Sequence, residues 1–116
     1  MLRFLCKSKI ANAYVTSKEL YYEGSIGIDK AIIEAADILP GEQVQVLNVN
    51  NGERFSTYVI EEKAGSGKIV LYGPAARKGE VKDELIILSY CMMETKESHN
   101  FSLRKITLAK NNQYKK

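Results

Sequence analysis

Two short stretches flank an Asn-Gly pair. Val44-Gln45-Val46-Leu47-Asn48-Val49 alternates with a period of two, and so does Arg54-Phe55-Ser56-Thr57-Tyr58-Val59-Ile60. Between them lies Asn50-Asn51-Gly52-Glu53, and Asn-Gly tolerates the positive φ that a tight hairpin demands. The same strand signal recurs over residues 13–16, 25–28, 68–72 and 84–90. So many short strands create an edge problem, which a small closed or nearly closed barrel solves. A faint internal echo fits two pseudo-symmetric halves of one barrel: Pro40-Gly41-Glu42-Gln43-Val44-Gln45-Val46 and Glu80-Val81-Lys82-Asp83-Glu84-Leu85-Ile86-Ile87 each lead an acidic turn into an apolar strand. One helix is expected after Asp29, whose carboxylate can accept the free amides of a first turn. Ala31, Ile32, Ala35 and Ala36 form its apolar stripe, and Pro40-Gly41 stops it. A second, shorter helix fits residues 74–77 or 93–98.

The totals restrict the function classes. A chain of 116 residues suits one domain with one core. No apolar run approaches the ~18 residues of a membrane span. The start, MLRFLCKSKIANAY, lacks a signal-peptide core, so a cytoplasmic protein is expected. The net charge is +3, but residues 104–116 hold five basic residues and no acid, which leaves the first 103 residues slightly acidic. The expected organisation is a single barrel domain over 1–103 and a basic, flexible tail over 104–116. No basic stripe is interleaved with aromatics, which argues against nucleic acid. Cys6 and Cys91 sit among apolar neighbours and read as buried reduced thiols, and His99 reads as exposed. None of these has metal-ligand spacing, so no metal is expected.

The segment Tyr21-Tyr22-Glu23-Gly24-Ser25-Ile26-Gly27-Ile28-Asp29 looks like a strand interrupted by Glu-Gly-Ser. A serine hydroxyl lies close to the carbonyl of the preceding residue. Attack there breaks the peptide C–N bond and forms an ester. Elimination of that ester cuts the chain and leaves a dehydroalanine, which loses ammonia on hydrolysis to give a pyruvoyl group. The shift needs a strained peptide and a stabilised oxyanion, and glycine permits dihedrals that other residues refuse. Alone, Gly-Ser is usually a turn. Gly65-Ser66-Gly67, in a polar linker, reads as one; Gly24-Ser25 sits in an apolar-aromatic segment instead.

Lys9, Val15-Thr16, Leu20, Tyr22-Glu23-Gly24-Ser25, Ile28-Asp29, Asn50-Asn51-Gly52-Glu53-Arg54-Phe55-Ser56-Thr57-Tyr58 and Gly73-Pro74-Ala75-Ala76-Arg77 occur in a characteristic order and spacing. In these the chain resembles the bacterial aspartate 1-decarboxylases over about residues 1–95. The resemblance implies a mainly β fold, a small double-psi β-barrel with short helices, and a homotetramer. It implies self-cleavage between Gly24 and Ser25, giving chains 1–24 and 25–116, and a covalent pyruvoyl cofactor made from Ser25. It further implies conversion of L-aspartate to β-alanine and CO2, for pantothenate synthesis. In that reading Ser25 forms the Schiff base and Tyr58 donates the proton that replaces CO2. Thr57 assists self-cleavage and touches substrate. Arg54 clamps the substrate carboxylate through a bidentate fork, Lys9 adds charge, Tyr22 lines the pocket, and Gly73, Pro74 and Ala75 offer backbone groups. Thr57 and Tyr58 face opposite sides of a regular strand, so a local irregularity or a neighbouring subunit is expected to bring both to one site. The chain departs from the family in having Ala11 where His is common, Tyr72 where Asn is usual, and Pro74 where Ala is common. Two alternatives stand beside this reading: an unprocessed barrel acting as a binding module, and the same chemistry on another acidic amino acid. A maturation helper protein stays open.

Overall fold

The Asn-Gly pair forms the turn its chemistry suggests. In the computed structural model, which describes residues 1–115, β4 (Gln43–Asn48) and β5 (Arg54–Glu62) pair antiparallel with Leu47 opposite Arg54. Gly52 has φ +77°, and the Asn48 side-chain oxygen accepts from the amides of Asn50 and Asn51. β1 (Leu2–Tyr14) and β7 (Glu84–Glu94) form a longer antiparallel ribbon, from Leu2 opposite Glu94 to Tyr14 opposite Glu84. β1 is far longer than the 13–16 stretch expected, because charged residues along Leu2–Tyr14 interrupt its period-two pattern while cross-strand pairing with β7 sustains it.

β2 (Ser17–Glu19), β3 (Ser25–Asp29), β6 (Ile69–Tyr72) and β8 (Arg104–Thr107) complete one sheet, in the order β2-β6-β3-β5-β4-β7-β1-β8. Only Val15 and Thr16 separate β1, near one end of this order, from β2 at the other. The sheet therefore curls round on itself. Val15 and Thr16 carry the closure: the Val15 amide donates to Asp83 O at 3.0 Å and the Thr16 amide to Ile69 O at 2.8 Å. The result is the mainly β, small-barrel architecture expected. Ile10, Ile26, Ile28, Val46, Leu71, Leu85 and Ile87 fill its centre and are fully buried. Each such side chain contributes about 1.5–3 kcal/mol by leaving water. The two halves of the sequence echo meet here, since β4 and β7 are neighbours with Val46 opposite Ile87.

α1 (Lys30–Ala35) begins as expected, with the Asp29 carboxylate accepting from the Ala31 amide at 2.8 Å. Its buried face is Ile32, Ile33 and Ala36, while Ala31 is exposed. The helix ends at Ala35, well before Pro40, so that Ile33 and Ile38 can both reach the core. Both places considered for a second helix are helical: a 3-10 turn at Gly73–Arg77 and α2 (Thr95–Ser98).

The segment expected to be a flexible tail over 104–116 is different through residue 115. β8 pairs in parallel with β1, Ile10 opposite Ile106. Ile106 and Leu108 are buried. Asn112 is buried too, donating to Tyr14 O and Gly67 O and accepting from the Tyr14 amide. The basic charges point outward while the alternating apolar residues between them dock on the barrel. Cys6 and Cys91 are free thiols, half-buried rather than buried. Burial pushes the Cys6 thiol up. His99 is exposed.

Candidate active site

Residues 20–24 are not strand. Leu20–Tyr22 form a bend, and Tyr21 and Tyr22 project into solvent. Pairing resumes at Ser25, opposite Tyr72 in the antiparallel β3–β6 ladder. Ser25 is fully buried, and its Oγ has no hydrogen-bond partner among the described residues. An unsatisfied buried hydroxyl costs about 1–3 kcal/mol, so this serine lowers the stability of the fold it sits in. The preceding peptide is pinned on one side. Gly73 has φ +67°, and a Cβ there would lie 2.5 Å from Tyr22 O and 2.7 Å from the Gly24 amide nitrogen. Only glycine allows this approach of two backbones. Pro74 Cδ flanks Gly24, 3.4 Å from where a Cβ would stand.

Gly24, Thr57, Tyr58, Pro74, Ala75 and Lys78 line one open cavity of about 490 Å³. Thr57 and Tyr58 share it without any irregularity in β5, which keeps its register with β4 through Tyr58. The reason is a change of neighbours. On its other side β5 pairs with β3 only from Val59 onward, Ile26 opposite Val59. Arg54–Tyr58 therefore presents a bare edge there, and the cavity lies against that edge, where residues from both faces reach it. Tyr58 is 38% exposed, open enough to meet a substrate.

Arg54 and Lys9 are elsewhere. Arg54 stands four residues before Tyr58, about 13 Å along an extended strand. Its Nη1 donates to Gln45 Oε1 at 3.0 Å, and Tyr90 OH donates to the same oxygen at 2.8 Å. Lys9, Leu88, Gln45 and Ser56 form one cross-strand row. Lys9 and Arg54 thus share the outer face of the sheet, together with exposed Leu2, Phe4, Tyr90 and Met92. Tyr22 leaves the cavity to stack on Tyr72, with centroids 4.6 Å apart.

Two features had no clear sequence signal. Lys78, after the 3-10 turn, brings a cation to the cavity and pairs with Glu53 at 3.2 Å. Tyr72 OH donates to Glu62 Oε2 at 2.8 Å. Burial and the neighbouring Glu62 push the Tyr72 phenol up to about 12. Among the described residues no group of three or more His, Cys, Asp or Glu could hold a metal ion, and no helix is long and apolar enough to cross a membrane.

The aspartate decarboxylase family profile matches residues 1–115. The chain is 53% identical over 112 residues to the aspartate 1-decarboxylase of Thermoanaerobacter pseudethanolicus, covering 97% of this chain and 96% of that protein. It is 56% identical over 94 residues to the protein of the same name from Coxiella burnetii, covering 81% and 85%. With that of Syntrophus aciditrophicus it shares 50% identity over 115 residues, 99% of each. The buried, unpartnered Ser25 behind a cavity edged by Thr57 and Tyr58 thus sits in a chain similar end to end to these enzymes, and the chain belongs to the aspartate decarboxylase family.

Proposed function

We propose that this chain cleaves itself between Gly24 and Ser25 and then converts L-aspartate to β-alanine and CO2, a step that supplies pantothenate synthesis. The observation that carries the reading is the Ser25 hydroxyl: fully buried and unpartnered, behind a peptide held by Gly73 and Pro74. This atom fits the origin of a pyruvoyl group. Such a group supplies a carbonyl that condenses with the substrate amine and accepts the electrons released with CO2. Thr57, which lines the cavity with Gly24, would donate a hydrogen bond to the Gly24 carbonyl during the acyl shift and so assist it. Tyr58 delivers the proton to the carbon that loses CO2. Gly73, Pro74 and Ala75 offer a close, small-residue wall to the substrate. Tyr22 screens the site from outside.

A substrate with two carboxylates needs a cation that stays unpaired when the wrong substrate enters. Arg54 and Lys9 take that role from a neighbouring subunit, because in their own subunit Arg54 stands four residues along β5 from Tyr58 and Lys9 lies on β1, beyond β4 and β7 from β5. The outer face of the sheet carries the exposed apolar strip of Leu2, Phe4, Tyr90 and Met92, which supports a homotetramer assembled through it. The place of work is the cytoplasm.

The test is the intact mass of the purified protein under denaturing conditions. Two chains, 1–24 and 25–116, the longer lighter by one ammonia than a serine-terminated fragment, are expected. CO2 release from aspartate should follow, and a carbonyl reagent should abolish it. Turnover of aspartate is expected to exceed that of glutamate and cysteine sulfinate. A single uncut chain without turnover would instead favour an unprocessed binding module. A monomer by analytical ultracentrifugation would remove the shared site.

A further inference from the structure

Position 27 leaves a space that a carboxylate fills. A Cβ on Gly27 would collide with Glu62 Oε2 and lie 2.9 Å from Tyr72 Cε2. Gly27, Ser25 and Tyr72 belong to one face of the β3–β6 ladder, because Ser25 pairs with Tyr72 and Gly27 is two residues on. Glu62 reaches that face from β5, where it pairs with Asp29. The chain thus builds a connected series: Gly27 gives room, Glu62 occupies it, Tyr72 OH donates to Glu62 at 2.8 Å, and the Tyr72 ring meets Tyr22 at 4.6 Å. Tyr22 and Gly24 in turn border Gly73, the residue after Tyr72.

We infer that Tyr72, anchored by Glu62 in the space left by Gly27, is a positioning residue for cleavage at Gly24-Ser25: it holds Tyr22 and the Gly24-Ser25 backbone against the Gly73 turn. The inference rests on the self-cleavage reading above. The phenol itself moves no proton in the acyl shift. Its hydrogen bond fixes the ring, and the ring fixes the bend that delivers Gly24 to buried Ser25. The neutral phenol is the donor, and burial together with the adjacent Glu62 carboxylate disfavours its ionisation. A short side chain at position 72 could not span from the ladder to Glu62 and also cover Tyr22.

The experiment follows full-length chains made by cell-free synthesis, with the uncut fraction read by intact mass over time. Tyr72→Phe keeps the ring and removes only the hydroxyl. Glu62→Ala removes the acceptor, whereas Glu62→Gln keeps one. Cleavage should slow at least fivefold in Tyr72→Phe and in Glu62→Ala and stay within twofold of wild type in Glu62→Gln. The double variant Tyr72→Phe/Glu62→Ala should be no slower than either single one, because both break one bond. A second readout uses the uncut Ser25→Ala chain. Its alkaline ultraviolet titration should contain one phenol ionising near pH 12 that Tyr72→Phe abolishes and Glu62→Gln moves downward. Wild-type cleavage rates in both Tyr72→Phe and Glu62→Ala, or no such late-titrating phenol, would overturn the inference and leave the function reading intact. A wild-type chain that never cuts would overturn both.

Discussion

The dipeptide Gly-Ser occurs twice, and the two copies have opposite surroundings. At Gly65-Ser66 the backbone turns with φ +80°, none of the described residues lies within 4 Å of the place a Cβ would take, and the Ser66 hydroxyl donates to Lys63 O at 2.6 Å. Water reaches it, and its hydrogen bond is local. At Gly24-Ser25 the serine is fully buried and unpartnered, and the glycine is wedged between Gly73 and Pro74. A satisfied, exposed hydroxyl gains nothing by attacking its neighbour. A desolvated, unsatisfied one next to a pinned peptide starts higher in free energy. Environment, not the dipeptide, separates the two copies.

The largest contrast should come from removing each hydroxyl. Ser25→Ala is expected to leave one uncut chain and bring aspartate turnover below detection, whereas Ser66→Ala should cut and turn over like wild type. Equal cleavage in both variants, read by mass, would break the comparison outright. Next come the glycines that shape each region. Gly73→Ala combines positive-φ strain with backbone overlap and should cost about 2–4 kcal/mol. Gly65→Ala meets open space and should cost only about 1 kcal/mol. Chemical denaturation of both variants in the uncut Ser25→Ala background measures the difference, and similar losses would mean that the Gly73 contact is not a constraint.

The two regions are also linked. One Asp29 oxygen accepts from Ala31 and Gly65 amides, and the other accepts from the Gly67 amide at 2.8 Å. Asp29→Ala should therefore lower stability by about 2 kcal/mol, through a lost helix cap and freed turn amides. It should sharply raise amide exchange at residues 65–67. The smallest expected effect is alkaline and confined to the Ser25 corner. Tyr72 is held protonated, so its contribution is fully present below about pH 10, the ordinary tyrosine value, and is lost as the pH rises toward 12. The stability gap between uncut Ser25→Ala and Ser25→Ala/Tyr72→Phe should accordingly narrow above pH 10, while a Ser66→Ala partner shows a constant gap. A pH-independent gap for Tyr72 would remove the Glu62 contact from that corner.

Local chemistry made much of the scaffold legible. Period-two alternation and Asn-Gly located β4, β5 and the hairpin between them, and Asp29 declared the start of α1. The order of Gly24-Ser25, Arg54, Thr57-Tyr58 and Gly73 carried the family. Other features escaped because their cause is distant in sequence. β1 extends to Leu2 through pairing with a strand some 80 residues away. β8 looked like a tail because five basic residues masked Ile106 and Leu108, whose burial requires the β1 wall.

The sequence by itself determined β4, β5, the hairpin between them, the helix cap and the residue types able to perform an acyl shift, since each depends on dihedral preference or alternation within a few residues. Only the tertiary structure decided that Ser25 is desolvated and Ser66 is not, and that Thr57 and Tyr58 meet at a bare strand edge while Arg54 and Lys9 lie away from it. It also placed Glu62 beside Gly27 and Tyr72. Burial, edge exposure and contacts across the barrel arise from chain segments that the sequence keeps apart, and no local pattern encodes which of two identical dipeptides they will enclose.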